Sequence, residues 1–114
     1  MFFSRTKWIR LGATEQSVLQ TIGDRNMRRI YLEQTNICLV NSDGKLKAVR
    51  DRCPHQGAKF SDGGCVEDNK IVCPWHKFGF DLDNGRGAGL YVEVYPIEIR
   101  EDGVFLGFQY RSFF

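Results

Sequence analysis

Two short loops, each with one cysteine and one histidine, constrain this chain more than anything else in it. They are Cys53-Pro54-His55 and Cys73-Pro74-Trp75-His76. A cysteine offers a soft anionic thiolate and a histidine a neutral imidazole. Two of each suit either a tetrahedral zinc or a 2Fe-2S cluster with both histidines on one iron. In C-x-H the donors stand too close for the usual zinc-finger clamp, which brings its cysteines as C-x2-4-C and its histidines as H-x3-5-H. With one loop on each side of a binuclear cluster, the thiolates share one iron and the imidazoles the other.

The rest of the chain narrows the setting. Its 114 residues predict one small domain with one modest core. Sixteen basic and 14 acidic residues are mixed along it for a net charge of +2, and no basic block points to nucleic acid. No apolar run approaches a membrane span, and Met1-Phe2-Phe3-Ser4-Arg5 is too short for a signal peptide, so a soluble, cytoplasmic protein is expected. Of the four cysteines, two are candidate ligands. Cys38, in Ile37-Cys38-Leu39-Val40, reads as a buried thiol on a strand, and Cys65 as an inert thiol on another. A disulfide between them is not expected in a reducing compartment.

The hydrophobic pattern is one of strands and turns. Lys7 to Leu11, Arg29 to Leu32, Asn36 to Asn41 and Leu46 to Val49 read as strands, with Asp43-Gly44 as a tight hairpin turn between the last two. Glu67 to Lys70 separates Cys65-Val66 from Ile71-Val72 in a short hairpin that delivers Cys73. Tyr95 to Arg100 and Val104 to Phe108 form a final pair, and only Ala13 to Ile22 suggests a helical turn. The aromatic ends, Phe2-Phe3 and Phe108 to Phe114, suit cover for a sheet edge or a contact patch.

Cys53-Pro54-His55-Gln56-Gly57-Ala58 with Cys73-Pro74-Trp75-His76 resembles the Rieske iron–sulfur motif, C-x-H followed about seventeen residues later by C-x-x-H. Phe80-Asp81-Leu82-Asp83-Asn84-Gly85 is similar to the F-D-L-x-x-G run of Rieske ferredoxins. The resemblance covers most of the chain and implies an all-β Rieske fold, an antiparallel β-sandwich or partly open barrel spanning 1–114. The cluster-binding subdomain is inserted at about 50–85. It implies one Rieske 2Fe-2S cluster, with Cys53 and Cys73 on the inner iron and His55 and His76 on the outer one. Gly57 and Gly79 let the backbone pass close to the cluster, the prolines stiffen each loop, and Trp75, Phe78 and Phe80 limit solvent access, with ordinary core packing an equal explanation for the two Phe.

Flanking residues indicate a subtype. Positions that carry a bracing disulfide in the Rieske proteins of cytochrome bc complexes are Ala58 and Trp75 here. Positions that carry serine and tyrosine donors to the cluster sulfurs are Phe78 and Phe80. Such hydroxyls favour the reduced, more negative cluster, so their absence predicts a potential at the low end of the Rieske range, about −150 mV. Lys77 stands where a glycine is common, and with Lys59 it is either a docking rim for an acidic partner or an ordinary surface lysine.

An electron carrier is the function expected, taking single electrons from a protein reductase and passing them to a terminal oxygenase. An oxygenase in its own right needs a 2-His-1-carboxylate iron site. The chain has two histidines, both committed to the cluster. No G-x-G-x-x-G follows a strand, so electrons must arrive from another protein. The alternatives are a small Rieske subunit of a larger oxidoreductase such as NAD(P)H nitrite reductase, and a zinc-stabilised binding module.

Overall fold

The computed structural model describes residues 2–113, with side chains described for residues 5–109. Its spine is strand β3, Thr35–Ser42, which pairs antiparallel with β2 (Met27–Leu32) on one side and β4 (Lys45–Arg50) on the other. Ile37, Cys38, Leu39 and Val40 are each exposed by 2% or less. Successive side chains on a strand point to opposite faces, so four buried neighbours in a row require cover on both sides. Ile37 and Leu39 join Leu46, Ala48, Val104 and Leu106 in one core. Cys38 and Val40 join Val49, Phe60, Ile71 and Phe80 in the other. Cross-strand neighbours keep the same parity, with Ile30 opposite Ile37 and Met27 opposite Val40.

One face is covered by a second sheet, ordered β1 (Phe2–Gly12), β11 (Gly103–Phe113), β10 (Ile97–Arg100), and by the helix α1, Glu15–Gln20. Thr14 caps that helix. Its hydroxyl accepts from the Ser17 N–H at 3.0 Å, and the Thr14 N–H donates to the Ser17 hydroxyl at 3.1 Å. This reciprocal box satisfies two amides that a helix start leaves open, and lets a six-residue helix bury Val18 and Leu19.

The other face carries the unit that holds the two loops. It comprises β5 (Cys65–Glu67), β6 (Lys70–Val72) and β7 (Gly79–Asp81) as one sheet, with the hairpin β8 (Arg86–Gly87) and β9 (Leu90–Tyr91) beside it. Phe60 and Phe80 meet edge-on at 5.9 Å between ring centres in its core. Polar contacts also tie it to the spine. The Ser42 hydroxyl donates to the Asn69 side-chain oxygen at 2.9 Å, and Lys47 bonds Asp83 at 2.7 Å.

The expected all-β, antiparallel architecture is borne out, as are the hairpins at Asp43-Gly44 (φ 49° and 83°) and Asp68-Asn69 (φ 52° and 57°). Other elements differ from expectation. A further turn of the same kind joins β2 to β3 at Glu33-Gln34, with φ 49° and 60°. The strand expected from Tyr95 begins at Ile97. Pro96 has no N–H to give to a ladder, and the Tyr95 N–H bonds the Ala48 carbonyl of the central sheet instead. The expected strand from Lys7 extends over Phe2–Gly12, paired with β11. Of the aromatic ends, Phe108 stacks on Tyr95, while the side chains of Phe2, Phe3, Tyr110, Phe113 and Phe114 lie outside the described residues.

Two glycines of the β8–β9 hairpin separate two costs. A Cβ at Gly87 would stand 2.0 Å from the Gly79 carbonyl oxygen, whereas one at Gly89 meets open space and only the strain of φ +74°. Gly89→Ala should therefore cost about 1 kcal/mol. Gly87→Ala must separate β8 from β7 and should cost about 2 to 3 kcal/mol. Urea unfolding of the two variants checks the order.

Candidate metal centre

Each cysteine opens a loop, and the two loops are closed by the same pair of backbone hydrogen bonds. The Cys53 N–H donates to the Ala58 carbonyl at 2.7 Å and the Gly57 N–H to the Cys53 carbonyl at 2.8 Å. In the second loop, the Cys73 N–H donates to Phe78 at 2.9 Å and the Lys77 N–H to Cys73 at 3.1 Å. Such a turn places the residue four after the cysteine in the left-handed region, with φ 77° at Gly57 and 59° at Lys77. The glycine meets that demand freely, while the lysine carries a strain of about 1 kcal/mol. Pro54 and Pro74 follow the cysteines, where their fixed φ and missing N–H cost the turn no hydrogen bond.

The donors sort by depth. Cys53 and Cys73 are buried, whereas His55 and His76 are exposed. Burial pushes the Cys53 thiol above its ordinary pKa, and the neighbouring Cys73 thiol adds to the rise. The backbone N–H groups of His55 and Gln56 oppose it by bonding to the sulfur. Outside, the two imidazoles stand edge-to-face at 5.3 Å between centres. Phe78 lies against both, 4.8 Å from His55 and 6.0 Å from His76. His76 Nε2 is 2.8 Å from the Gln56 side-chain oxygen, a contact that reaches across from the first loop.

This donor set fits a two-iron cluster. The four candidate donors fall into two like pairs, neighbouring thiols inside and imidazoles in contact outside. Such pairing matches a cluster with two cysteines on one iron and two histidines on the other.

Behind the first loop lies a polar network that the sequence did not disclose. Asp51, two residues before Cys53, has a side chain with no solvent exposure. Its carboxylate accepts from the Ser61 N–H at 2.9 Å, from the Ser61 hydroxyl, and from Arg29 Nε at 2.9 Å. Arg29 reaches on to Asp62 at 2.9 Å, and its hydrogen bond with Asp51 raises its pKa. The network fastens the end of β4 to residues 61–62 and to β2, so it holds the first loop from both sides. Asp51 lies between Arg50 and Arg52 in the sequence, which makes it look like one more surface charge.

Trp75, expected to limit solvent access, is itself 59% exposed. Of the two phenylalanines, Phe80 fits the core-packing alternative, being wholly buried, and Phe78 is the one that meets the histidines. A Cβ at Gly79 would stand an ordinary 3.5 Å from Lys70, whereas at Gly64, Gly85 and Gly87 it would meet a backbone oxygen at 2.5, 2.1 and 2.0 Å. All four cysteines are free thiols. Cys38 is buried on β3, and burial holds its thiol far above the usual range. Cys65 is exposed on β5, opposite Val72. No helix among the described residues is long and apolar enough to cross a membrane.

Comparison with known proteins agrees with this geometry. Residues 8–93 match the family model described as Rieske [2Fe-2S] domain, and the chain belongs to that family. Its cofactor is accordingly a Rieske-type 2Fe-2S cluster. Among curated relatives, the ferredoxin component of the alkene monooxygenase system of Xanthobacter autotrophicus is 27% identical over 87 residues, 74% of this chain and 71% of the relative. The 3-phenylpropionate/cinnamic acid dioxygenase ferredoxin subunit of Escherichia coli K12 is 31% identical over 74 residues, 61% of this chain and 70% of the relative. The fold recurs in solved structures in two settings. In a complex of oxygenase and ferredoxin from carbazole 1,9a-dioxygenase it matches 91% of one chain, at TM-score 0.69 and 21% identity over 87% of this chain. In the terminal oxygenase of carbazole 1,9a-dioxygenase from Nocardioides aromaticivorans IC177 it matches 29% of the chain, with TM-score 0.69 and 22% identity over 87% of this one.

Removing the buried anion tests the brace behind the first loop. Asp51→Ala leaves the Ser61 N–H and part of the Arg29 guanidinium without a partner, and should cost about 3 kcal/mol. Unfolding in urea measures that loss. The visible absorbance of the loaded variant should also bleach faster than that of Lys45→Ala, a change at an exposed lysine.

Proposed function

We propose that this chain is a Rieske ferredoxin, one domain over 1–114 with its cluster-binding subdomain at about 50–85. It carries single electrons in the cytoplasm from a protein reductase to a terminal oxygenase. In this reading Cys53 and Cys73 hold the inner iron, and His55 and His76 hold the outer one. One observation carries it: two loops with the same backbone closure put their thiols inside and their imidazoles at the surface. The relatives support the oxygenase as acceptor, since they are ferredoxin components of a monooxygenase and a dioxygenase system. They favour it over a nitrite reductase subunit.

When bound, the cluster supplies a one-electron redox centre. The chain's own residues do the rest. Burial of the cysteines keeps water from the sulfur side, and exposure of the histidines gives a short path to a partner. Phe78 and Gln56 hold the imidazole planes through ring contact and the Nε2 hydrogen bond. Neither Phe78 nor Phe80 has a hydroxyl to donate, which sets the potential at the low end of the Rieske range.

Purified protein should be red-brown, with about two irons and two acid-labile sulfides per chain. His55→Ala and His76→Ala should each abolish the Rieske absorption and EPR signals, and survival of the signals in both variants would refute the ligand assignment. Protein-film voltammetry should give a potential near −150 mV, and a value above about +100 mV would overturn the low-potential reading.

A further inference from the structure

Beside the first ligand loop lies a recess of about 150 Å³ whose lining includes Arg50, Asp51, Arg52, Gly57 and Lys59. Arg50, Arg52 and Lys59 are all exposed, and none forms an ion pair among the described residues. The acids nearest in sequence are already engaged. Asp51 is bonded to Ser61 and Arg29, and Asp62 to Arg29. From Arg52 to Phe60 the chain has no acidic residue at all. The guanidinium of Arg52 lies over Gly57, 3.1 Å from where a Cβ would stand, and so against the loop that presents His55. Three cations without an ion pair among the described residues thus line one recess, and one of them, Arg52, lies against the loop that presents His55.

We propose that this recess is a docking site for a carboxylate side chain of the acidic redox partner, and that it registers the partner over the His55 loop. The inference rests on the electron-carrier reading and adds to it the partner's chemistry and the point of contact. Charge complementarity selects the occupant, because the free cations are unbalanced by any free acid at the recess. Size and placement favour a protein side chain over a free metabolite: the volume admits one carboxylate group, and the cations stand at an open surface. Exposed charges of this kind chiefly set encounter rate and orientation, and ionic strength weakens them.

The test uses the cluster-loaded protein and a fluorescein-labelled hepta-glutamate peptide, with binding read by fluorescence anisotropy. Affinity should fall by about tenfold between 20 and 200 mM salt. Charge reversals Arg52→Glu and Lys59→Glu should each weaken binding by roughly tenfold. Lys45→Glu makes the same net-charge change at the opposite end of β4, about 17 Å along the strand, and should weaken it less than about twofold. Equal losses in all three variants would reduce the effect to net charge and overturn the proposal, as would no loss in any. Displacement of the peptide by inorganic phosphate, where chloride of equal ionic strength leaves it bound, would make the recess a small-anion site and also overturn it. Should Arg52→Glu disturb the loop and lose its colour, Lys59→Glu against Lys45→Glu decides the matter alone. A colourless wild-type protein would defeat the electron-carrier reading, while the peptide titration still reports on the recess by itself.

Discussion

Burial of β3 on both faces is the constraint from which the architecture follows. A strand with Ile37, Cys38, Leu39 and Val40 all out of water needs a layer on each side, and the chain supplies two unlike ones. The terminal strands and the short helix cover one face. The unit bearing both ligand loops covers the other. The loops are therefore built on a platform whose reverse side is itself a packed core. Burying each of these side chains contributes on the order of 1.5 to 3 kcal/mol, so a polar change anywhere in the four loosens at least one layer.

On that platform the two loops solve one geometric problem twice. Each must turn the chain within a few residues so that a cysteine faces inward and a histidine outward. Both do so with a pair of backbone hydrogen bonds and a left-handed residue four places on. The side chains differ, but the closure does not depend on them. The Asp51–Arg29–Ser61 network then fastens the first loop to the central sheet. A buried carboxylate with three donors is a costly device in isolation, and here every partner is present.

Much of this could be read from the residues. The Asp-Gly turn and the buried character of Ile37 to Val40 depend on local chemistry, and they appear in the structure where expected. What escaped depends on distance. Glu33-Gln34 makes a tight turn with no Gly or Asn, because pairing of β2 with β3 dictates the backbone there. Asp51 finds Arg29 and Ser61 across the fold, 22 and 10 residues away in sequence, and nothing near it announces either. Trp75, expected from the resemblance to limit solvent access, stands 59% exposed on the second loop. The gathering of Arg50, Arg52 and Lys59 is likewise a property of the folded surface. In the sequence they are three of sixteen scattered cations.

The contact of Phe78 with both imidazoles bears on the ease with which an electron can come and go. Charge moves quickly between proteins when the atoms around the centre need not rearrange to receive it. A phenyl ring against His55 and His76, with Gln56 at the far nitrogen of His76, leaves the two histidines little freedom to swing. With the two histidines on the outer iron, as proposed, one apolar side chain would thereby lower the reorganisation that each arrival and departure requires.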